Sequence, residues 1–228
     1  MKINKNNKKD NYRELKDFCL SQGAELFGVA DISKIRKDFL LPRGVFNKFR
    51  FAVSLGIRLN KAIFIELDDK HTRMYYHHYR TVNTILDNLA YKTACFLEDK
   101  GSLSLAIPAS QVLDWQKQTA HLPHKKIAVL AGLGWIGRNN LLVNERFGSR
   151  LRLVTVLTDM SLVVDKPKKN NCGTCYACVK ACPAHAIKAT PQEFEHLKCF
   201  AKLKEFQKKR ICEQFICGVC VKACSGNR

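Results

Sequence analysis

The sequence predicts an α+β protein in two parts, an α/β domain over residues 12–165 and a small cysteine-rich domain over residues 166–228. Two observations lead to this prediction. Nine of the 11 cysteines lie at or after position 172, and the preceding part alternates apolar, strand-like runs with helical patterns. A hydrophobic fraction of 46% excludes a wholly disordered chain and leaves room for one fair-sized core or two small ones.

The N-terminal part reads as alternating helices and strands. Residues 1–11 are rich in lysine and asparagine and are expected to form a disordered basic tail. Leu15 and Cys19 have helical spacing, and Gly23 ends that helix. Apolar runs predict strands at 24–30, 51–57 and 102–107, and a long amphipathic pattern predicts a helix at 82–97.

Residues 126–137 contain G-x-G-x-x-G after an apolar run, the fingerprint of a dinucleotide-binding turn. That fingerprint needs a helix to start within the glycines, whereas residues 138–144 are poor helix formers and Trp135 would sit inside the phosphate loop. We therefore expect a helix that ends at Gly132, followed by two strands joined by a turn at 147–149.

The cysteines form two related motifs. Residues 172–183 read C-x2-C-x2-C-x3-C-P, the ferredoxin run for a [4Fe–4S] cluster, whereas zinc sites usually pair two separated C-x2-C units. Residues 217–224 read C-x2-C-x3-C. By the ligand exchange of two-cluster proteins, the first cluster is predicted to use Cys172, Cys175, Cys178 and Cys224. The second is predicted to use Cys182, Cys217 and Cys220, completed by Cys199 or Cys212.

The charge balance bears on partners and location. The formal net charge is +19, which two oxidised clusters would lower by only about four units. Such a surface can attract an acidic electron donor such as ferredoxin or flavodoxin, nucleic acid, or a phosphate-bearing cofactor; a merely solvated, lysine-biased surface is the alternative. No apolar run is long enough to span a bilayer, and no secretory signal follows the basic N-terminus. We expect a cytoplasmic protein that makes no membrane contact.

Four segments resemble the epoxyqueuosine reductase family, whose cobalamin chemistry is shared with corrinoid reductive dehalogenases. They are Ala131-Gly-Leu-Gly-Trp-Ile-Gly-Arg-Asn-Asn-Leu-Leu142, Phe147-Gly-Ser149, Leu157-Thr-Asp159 and the run from Cys172 to Pro183. The resemblance implies an α/β cobalamin-binding domain followed by a ferredoxin-like domain with two [4Fe–4S] clusters. It also favours Cys199 over Cys212, because the family has a cysteine at about this spacing after the Cys-Pro pair.

The glycine-rich segment is the predicted corrinoid site. Gly132, Gly134 and Gly137 would allow the backbone to approach a large flat ring, and Trp135 could pack near its edge. The alternative is that these glycines only shape a turn. Cys19 and Cys95 are expected to be buried apolar residues on helices.

Two departures from the family matter. The resemblance implies an aspartate that acts as an acid near residues 107–110, and this sequence has no acidic residue there. Asp114 is close in sequence but does not align with the family's position. The sequence also stops four residues after Cys224, where the tRNA enzyme continues into a helical-repeat domain, so a short form is expected. Three functions remain: a reductase in which the clusters supply electrons to a corrinoid, a non-catalytic dicluster electron-transfer protein, and a tRNA epoxyqueuosine reductase.

Overall fold

The computed structural model describes residues 7–210 and 213–226. Seven α-helices and six strands lie within those ranges, with short 3-10 turns at 36–38, 61–64 and 191–193. The helices are α1 (Lys8–Ser21), α2 (Arg43–Phe46), α3 (Arg73–Asp99), α4 (His124–Leu130), α5 (Ala177–Ala181), α6 (His196–Lys208) and α7 (Val219–Ala223). The strands are β1 (Leu26–Asp31), β2 (Phe51–Arg58), β3 (Ser104–Ile107), β4 (Trp135–Ile136), β5 (Leu142–Val143) and β6 (Leu151–Thr158).

The chain folds into two compact units that are interleaved in sequence. The first contains the segments up to 57, 83–133 and 152–168, and the second contains 58–82, 134–151 and 169–228. The predicted division into 12–165 and 166–228 is therefore correct only near its boundary. Sequence composition did not indicate that residues 58–82 and 134–151 pack with the cysteines.

The first unit is built on a four-stranded sheet with the order β1-β2-β6-β3. Strand β1 is antiparallel to β2, with Leu26 opposite Gly56, and β3 is antiparallel to β6, with Ser104 opposite Thr158. The two central strands are buried along most of their length. Burial on both faces explains why they read as continuous apolar runs rather than as alternating patterns. The predicted strands and the long helix are confirmed.

The prediction of a disordered tail over residues 1–11 is wrong for residues 7–11, which the structure describes. Helix α1 begins at Lys8, and the side chain of Asn7 caps it by accepting a hydrogen bond from the backbone N–H of Asp10. Asn11 is buried, and its side-chain amide donates to the carbonyl oxygen of Ser161. The composition did not indicate the first turn of α1, because a capping asparagine and a buried asparagine cannot be distinguished by composition from the polar residues of a disordered tail. Residues 1–6 lie outside the described ranges.

The glycine segment forms the predicted helix end but a different hairpin. Helix α4 is followed by Gly132 at φ +72°, a left-handed conformation that glycine adopts readily. Strand β5 then pairs with β4, with Trp135 opposite Val143. The prediction that the strand after residue 138 pairs with the strand at 151–158 is wrong, since β6 belongs to the four-stranded sheet.

The second unit holds residues 58–82 against its cysteine-rich segment by specific contacts. The Tyr75 ring occupies the space where a Cβ on Gly218 would lie, and Gly218 has φ +84°. Lys222 Nζ donates to the carbonyl oxygen of Leu67 at 2.6 Å. Among the described residues, none of the helices combines the length and apolarity that a bilayer crossing needs.

Candidate metal centre

The second unit contains one short element twice. The sequences Cys175-Tyr-Ala-Cys178-Val-Lys-Ala-Cys182 and Cys217-Gly-Val-Cys220-Val-Lys-Ala-Cys224 share the same cysteine spacing and the same Val-Lys-Ala. Each forms a helix of five residues, α5 and α7, and these helices pack against each other. Each helix is followed by a cysteine in an extended conformation, so the chain turns away there and carries that thiol out of the helix.

The first group of thiols surrounds one small pocket. Its lining includes Cys172, Cys175, Cys178 and Cys224. Burial raises the pKa of Cys178 to about 11, and repulsion from the other three thiols adds to this shift. The last cysteine of the second motif therefore lies with the first three cysteines of the first motif, as ligand exchange requires.

Among the described residues, a second group of neighbouring thiols contains Cys182, Cys199, Cys217 and Cys220. Burial raises the pKa of Cys217 to about 12, and Cys199 and Cys182 contribute to the shift. Burial also raises the pKa of Cys220, with contributions from the same two thiols and from Cys217. Cys199 lies on helix α6 and contacts the apolar cluster around Cys178, Cys182 and Ile187. Cys212 lies outside the described residues.

The donor chemistry of both groups fits a [4Fe–4S] cluster. Each group supplies four thiols, and all of them except the exposed Cys175 are buried or half-buried. Thiolates are soft ligands suited to iron–sulfur clusters, and metal binding releases the proton of a buried thiol whose pKa is raised, such as that of Cys178. Within the described residues, no three His, Cys, Asp or Glu side chains converge closely enough to hold a single metal ion. Thiolates on a cubane each bind a different iron atom, so they stand wider apart than the ligands of one ion.

The β4–β5 hairpin supports the loop of the first three cysteines through Arg138, which the sequence did not single out as a site residue. Its guanidinium donates to three carbonyl oxygens, those of Ala189 at 2.6 Å, Cys175 at 3.0 Å and Gly173 at 2.9 Å. It also lies over the Tyr176 ring, 4.2 Å from the centroid. Arg138 thus ties the hairpin to the loop that carries the thiols.

At the three glycines of the predicted corrinoid site, the protein's own atoms fill the space where a Cβ would lie. A Cβ on Gly132 would lie 2.7 Å from the carbonyl oxygen of Lys166, and one on Gly134 would overlap the carbonyl oxygen of Val143. A Cβ on Gly137 would lie 2.5 Å from a methyl group of Val143. Trp135 is 5% exposed. These residues shape a tightly packed hairpin, and their contact with a corrinoid stays a prediction.

Other predicted features have simple structural roles. Cys19 is fully buried, 3.6 Å from the Thr93 hydroxyl, and burial raises the pKa of its thiol to about 12. Cys95 is half-buried. The segment 107–110 carries no acid, but Asp87 of α3 reaches it and accepts a hydrogen bond from the backbone N–H of Ala109 at 2.7 Å. Asp114 accepts backbone hydrogen bonds within its own turn.

No family model matches the chain. It is 38% identical to an epoxyqueuosine reductase of Leadbetterella byssophila, over 42% of this chain and 34% of that protein. It is 36% identical to a tetrachloroethene reductive dehalogenase of Desulfitobacterium hafniense, over 45% of this chain and 22% of that protein. The chain therefore spans about a third or less of these curated relatives.

The solved structures that are similar to this chain come from the same two families. An epoxyqueuosine reductase in complex with a modified tRNA-Tyr stem loop superposes with a TM-score of 0.70 at 18% identity, covering 96% of this chain and 65% of that one. A catabolic reductive dehalogenase superposes with a TM-score of 0.79 at 18% identity, covering 99% of this chain and 33% of that one. In sequence and in fold, the chain is similar to epoxyqueuosine reductases and reductive dehalogenases.

Proposed function

We propose that this protein is an iron–sulfur oxidoreductase that carries single electrons through two [4Fe–4S] clusters to a reductive reaction. The observation that supports this proposal most directly is the exchange of the fourth thiol between two repeated motifs. Cys224 joins the first three cysteines of the run at 172, while Cys182 joins the cysteines of the second motif. Such an exchange brings two clusters close together, which is what stepwise single-electron transfer needs.

The chain's own residues would hold and shield the clusters. The first would be held by Cys172, Cys175, Cys178 and Cys224, and the second by Cys182, Cys199, Cys217 and Cys220. Bound clusters supply the redox chemistry, and the protein controls their potentials through hydrogen bonds and burial. The lysine-biased surface favours an acidic donor such as ferredoxin or flavodoxin.

We infer that a corrinoid is the electron acceptor, on the strength of the relatives alone. One reductive dehalogenase structure with this fold is described as suggesting a mechanism for B12-dependent dehalogenation; it has a TM-score of 0.67 at 18% identity and covers 81% of this chain and 27% of that one. The contact of residues 132–137 with the ring stays a prediction. If no corrinoid binds, a dicluster electron-transfer protein that serves a partner is the better description.

Anaerobic reconstitution tests the proposal. Protein purified without oxygen and supplied with iron and sulfide should contain about eight iron atoms per chain. Cys172→Ser and Cys224→Ser should remove the same cluster, with the same loss of signal in electron paramagnetic resonance, although the two cysteines are far apart in sequence. A zinc-loaded protein, or four iron atoms with no further uptake, would contradict the two-cluster proposal. Cobalamin retained through gel filtration separates the reductase from the electron carrier.

A second candidate function, contact with tRNA, is favoured by an arginine-lined pocket in the second unit. Arg73, Arg80 and Arg210 line this pocket together with Tyr76, His77, Gln207 and Glu213, and its volume is about 560 Å³. The Arg80 guanidinium lies over the Tyr76 ring, 5.6 Å from the centroid. Arginine and tyrosine together are suited to phosphate groups and unstacked bases, and the related structure with a tRNA stem loop adds support.

A further inference from the structure

The indole of Trp135 is a buried donor without an acceptor in the described part of the protein. Its residue is 5% exposed, and its Nε1 atom is buried with no hydrogen-bond partner there. An indole N–H can only donate, and buried donors in native proteins almost always have an acceptor. An unpaired donor at this depth therefore points to an acceptor that the described part of the polypeptide does not supply.

The side chain lies where such an acceptor is expected. Trp135 lines the same small pocket as the four thiols of the first group, Cys172, Cys175, Cys178 and Cys224. Its neighbours on the pocket wall include Arg138 and Asn139, whose polar groups are already engaged. Arg138 donates to three carbonyl oxygens, and the Asn139 amide donates to the Ser149 hydroxyl at 3.0 Å.

The position of the ring is closely constrained. Trp135 pairs with Val143 across the β4–β5 hairpin. The flanking Gly134 lets the backbone meet the carbonyl of Val143, and Gly137 lies against the Val143 side chain and near the Cys172 sulfur. A side chain at either glycine would push the hairpin apart. The glycine pattern thus fixes the backbone of the hairpin from which the Trp135 side chain lines the pocket.

We propose that Trp135 Nε1–H donates a hydrogen bond to a sulfur atom of the first cluster and raises its reduction potential. This inference rests on the proposed function, since it needs a cluster on the first group of thiols. The cluster gains negative charge on reduction, so a donor to its sulfur stabilises the reduced form more than the oxidised form. Trp135 is therefore a positioning and tuning residue for electron transfer.

The variant Trp135→Phe tests the proposal. Phenylalanine keeps an aromatic ring, and the substitution removes only the indole N–H donor and part of the aromatic surface. Both cluster potentials are measured in an anaerobic titration followed by electron paramagnetic resonance. We expect the first cluster of the variant to titrate at a lower potential, the second at its original potential, and the iron content to remain about eight. Trp115→Phe is the matched control, since Trp115 is 52% exposed, and it should leave both potentials unchanged.

A second measurement covers the case in which Trp135→Phe does not assemble its cluster. The protein has two tryptophans, so Trp115→Phe retains Trp135 alone and can be labelled with 15N at the indole. Electron–nuclear double resonance on the reduced first cluster should then detect the indole 15N and a proton that exchanges in D2O. Equal potentials in wild type and Trp135→Phe, or no coupling in the labelled protein, would overturn the hydrogen bond. Failure of the protein to take up a first cluster at all would count against the proposed function instead.

Discussion

At the scale of single residues, we propose Cys199 as the thiol that completes the second group. It contributes to the raised pKa values of Cys217 and Cys220, and its own pKa is raised by burial and by Cys182. We expect Cys199→Ser to lower the iron content from about eight to about four atoms per chain, because one cubane loses a ligand. Cys212→Ser should retain about eight. Iron analysis after anaerobic reconstitution measures both, and the reverse pattern would assign the ligand to Cys212.

Gly134 is a second residue whose role is decided by one contact. A Cβ there would overlap the carbonyl oxygen of Val143, so Gly134→Ala must push β4 away from β5. We expect a loss of about 2–4 kcal/mol in the free energy of unfolding, the range for overpacked or strained sites. Gly44→Ala is the control, since nothing lies within 4 Å of a Cβ at that position.

Gly44 lies in helix α2, where alanine is the better helix former, so Gly44→Ala should be neutral or slightly stabilising. Denaturant unfolding under anaerobic conditions compares the two variants. Equal stability of Gly134→Ala and wild type would contradict the close approach of the two strands.

At the scale of elements, the β4–β5 hairpin is the support of the first cysteine loop. Arg138 joins the two through three hydrogen bonds to carbonyl oxygens and a contact with the Tyr176 ring. Hydrogen bonds from a charged donor contribute about 1.5–3 kcal/mol where they are buried and less where they are exposed, so the local stability of the loop depends strongly on this side chain.

Arg138→Gln should therefore release the first cluster faster than wild type when the holoprotein is exposed to a chelator. The rate is followed by the loss of visible absorbance, and the second cluster should be lost at its original rate. Arg146→Gln is the charge-matched control: Arg146 is exposed and lies over the Phe147 ring, 4.9 Å from the centroid. Identical rates in all three proteins would show that the hairpin does not secure the loop.

At the scale of the whole molecule, the net charge of +19 raises the question of whether any anion binds specifically. A diffuse positive surface binds polyanions without preference, whereas a pocket concentrates the contacts at a few arginines. The arginines of the pocket described above lie on α3 and in the segment that follows α6.

A tRNA stem loop tests this pocket. The double variant Arg73→Gln/Arg210→Gln should bind it more weakly and reduce the slope of log affinity against log salt by about two, about one for each lost phosphate contact. Lys8→Gln/Lys9→Gln changes the net charge by the same amount and should leave the slope nearly unchanged. If both pairs weaken binding equally, the attraction comes from net charge and not from the pocket.

The ligand chemistry of this protein was predicted from local sequence patterns. Ligand spacing is a local property, so C-x2-C-x2-C-x3-C-P and the second C-x2-C-x3-C predicted two groups of thiols, and the structure brings the eight predicted cysteines together in that pairing. Periodicity is also local, and it predicted α1, α3 and the strands of the first unit. The resemblance to epoxyqueuosine reductases and reductive dehalogenases rested on the same residues.

Roles that depend on contacts between distant segments became visible in the folded chain alone. Glycine has no side chain to indicate what it faces, and only the position of Val143 shows that the Cβ side of Gly134 meets a backbone carbonyl. The importance of Arg138 depends on carbonyl groups up to 51 residues away. Residues 58–82 joined the cysteine-rich unit through contacts such as Tyr75 on Gly218. Packing between segments that are far apart in sequence leaves no local pattern, because it is specified jointly by both surfaces.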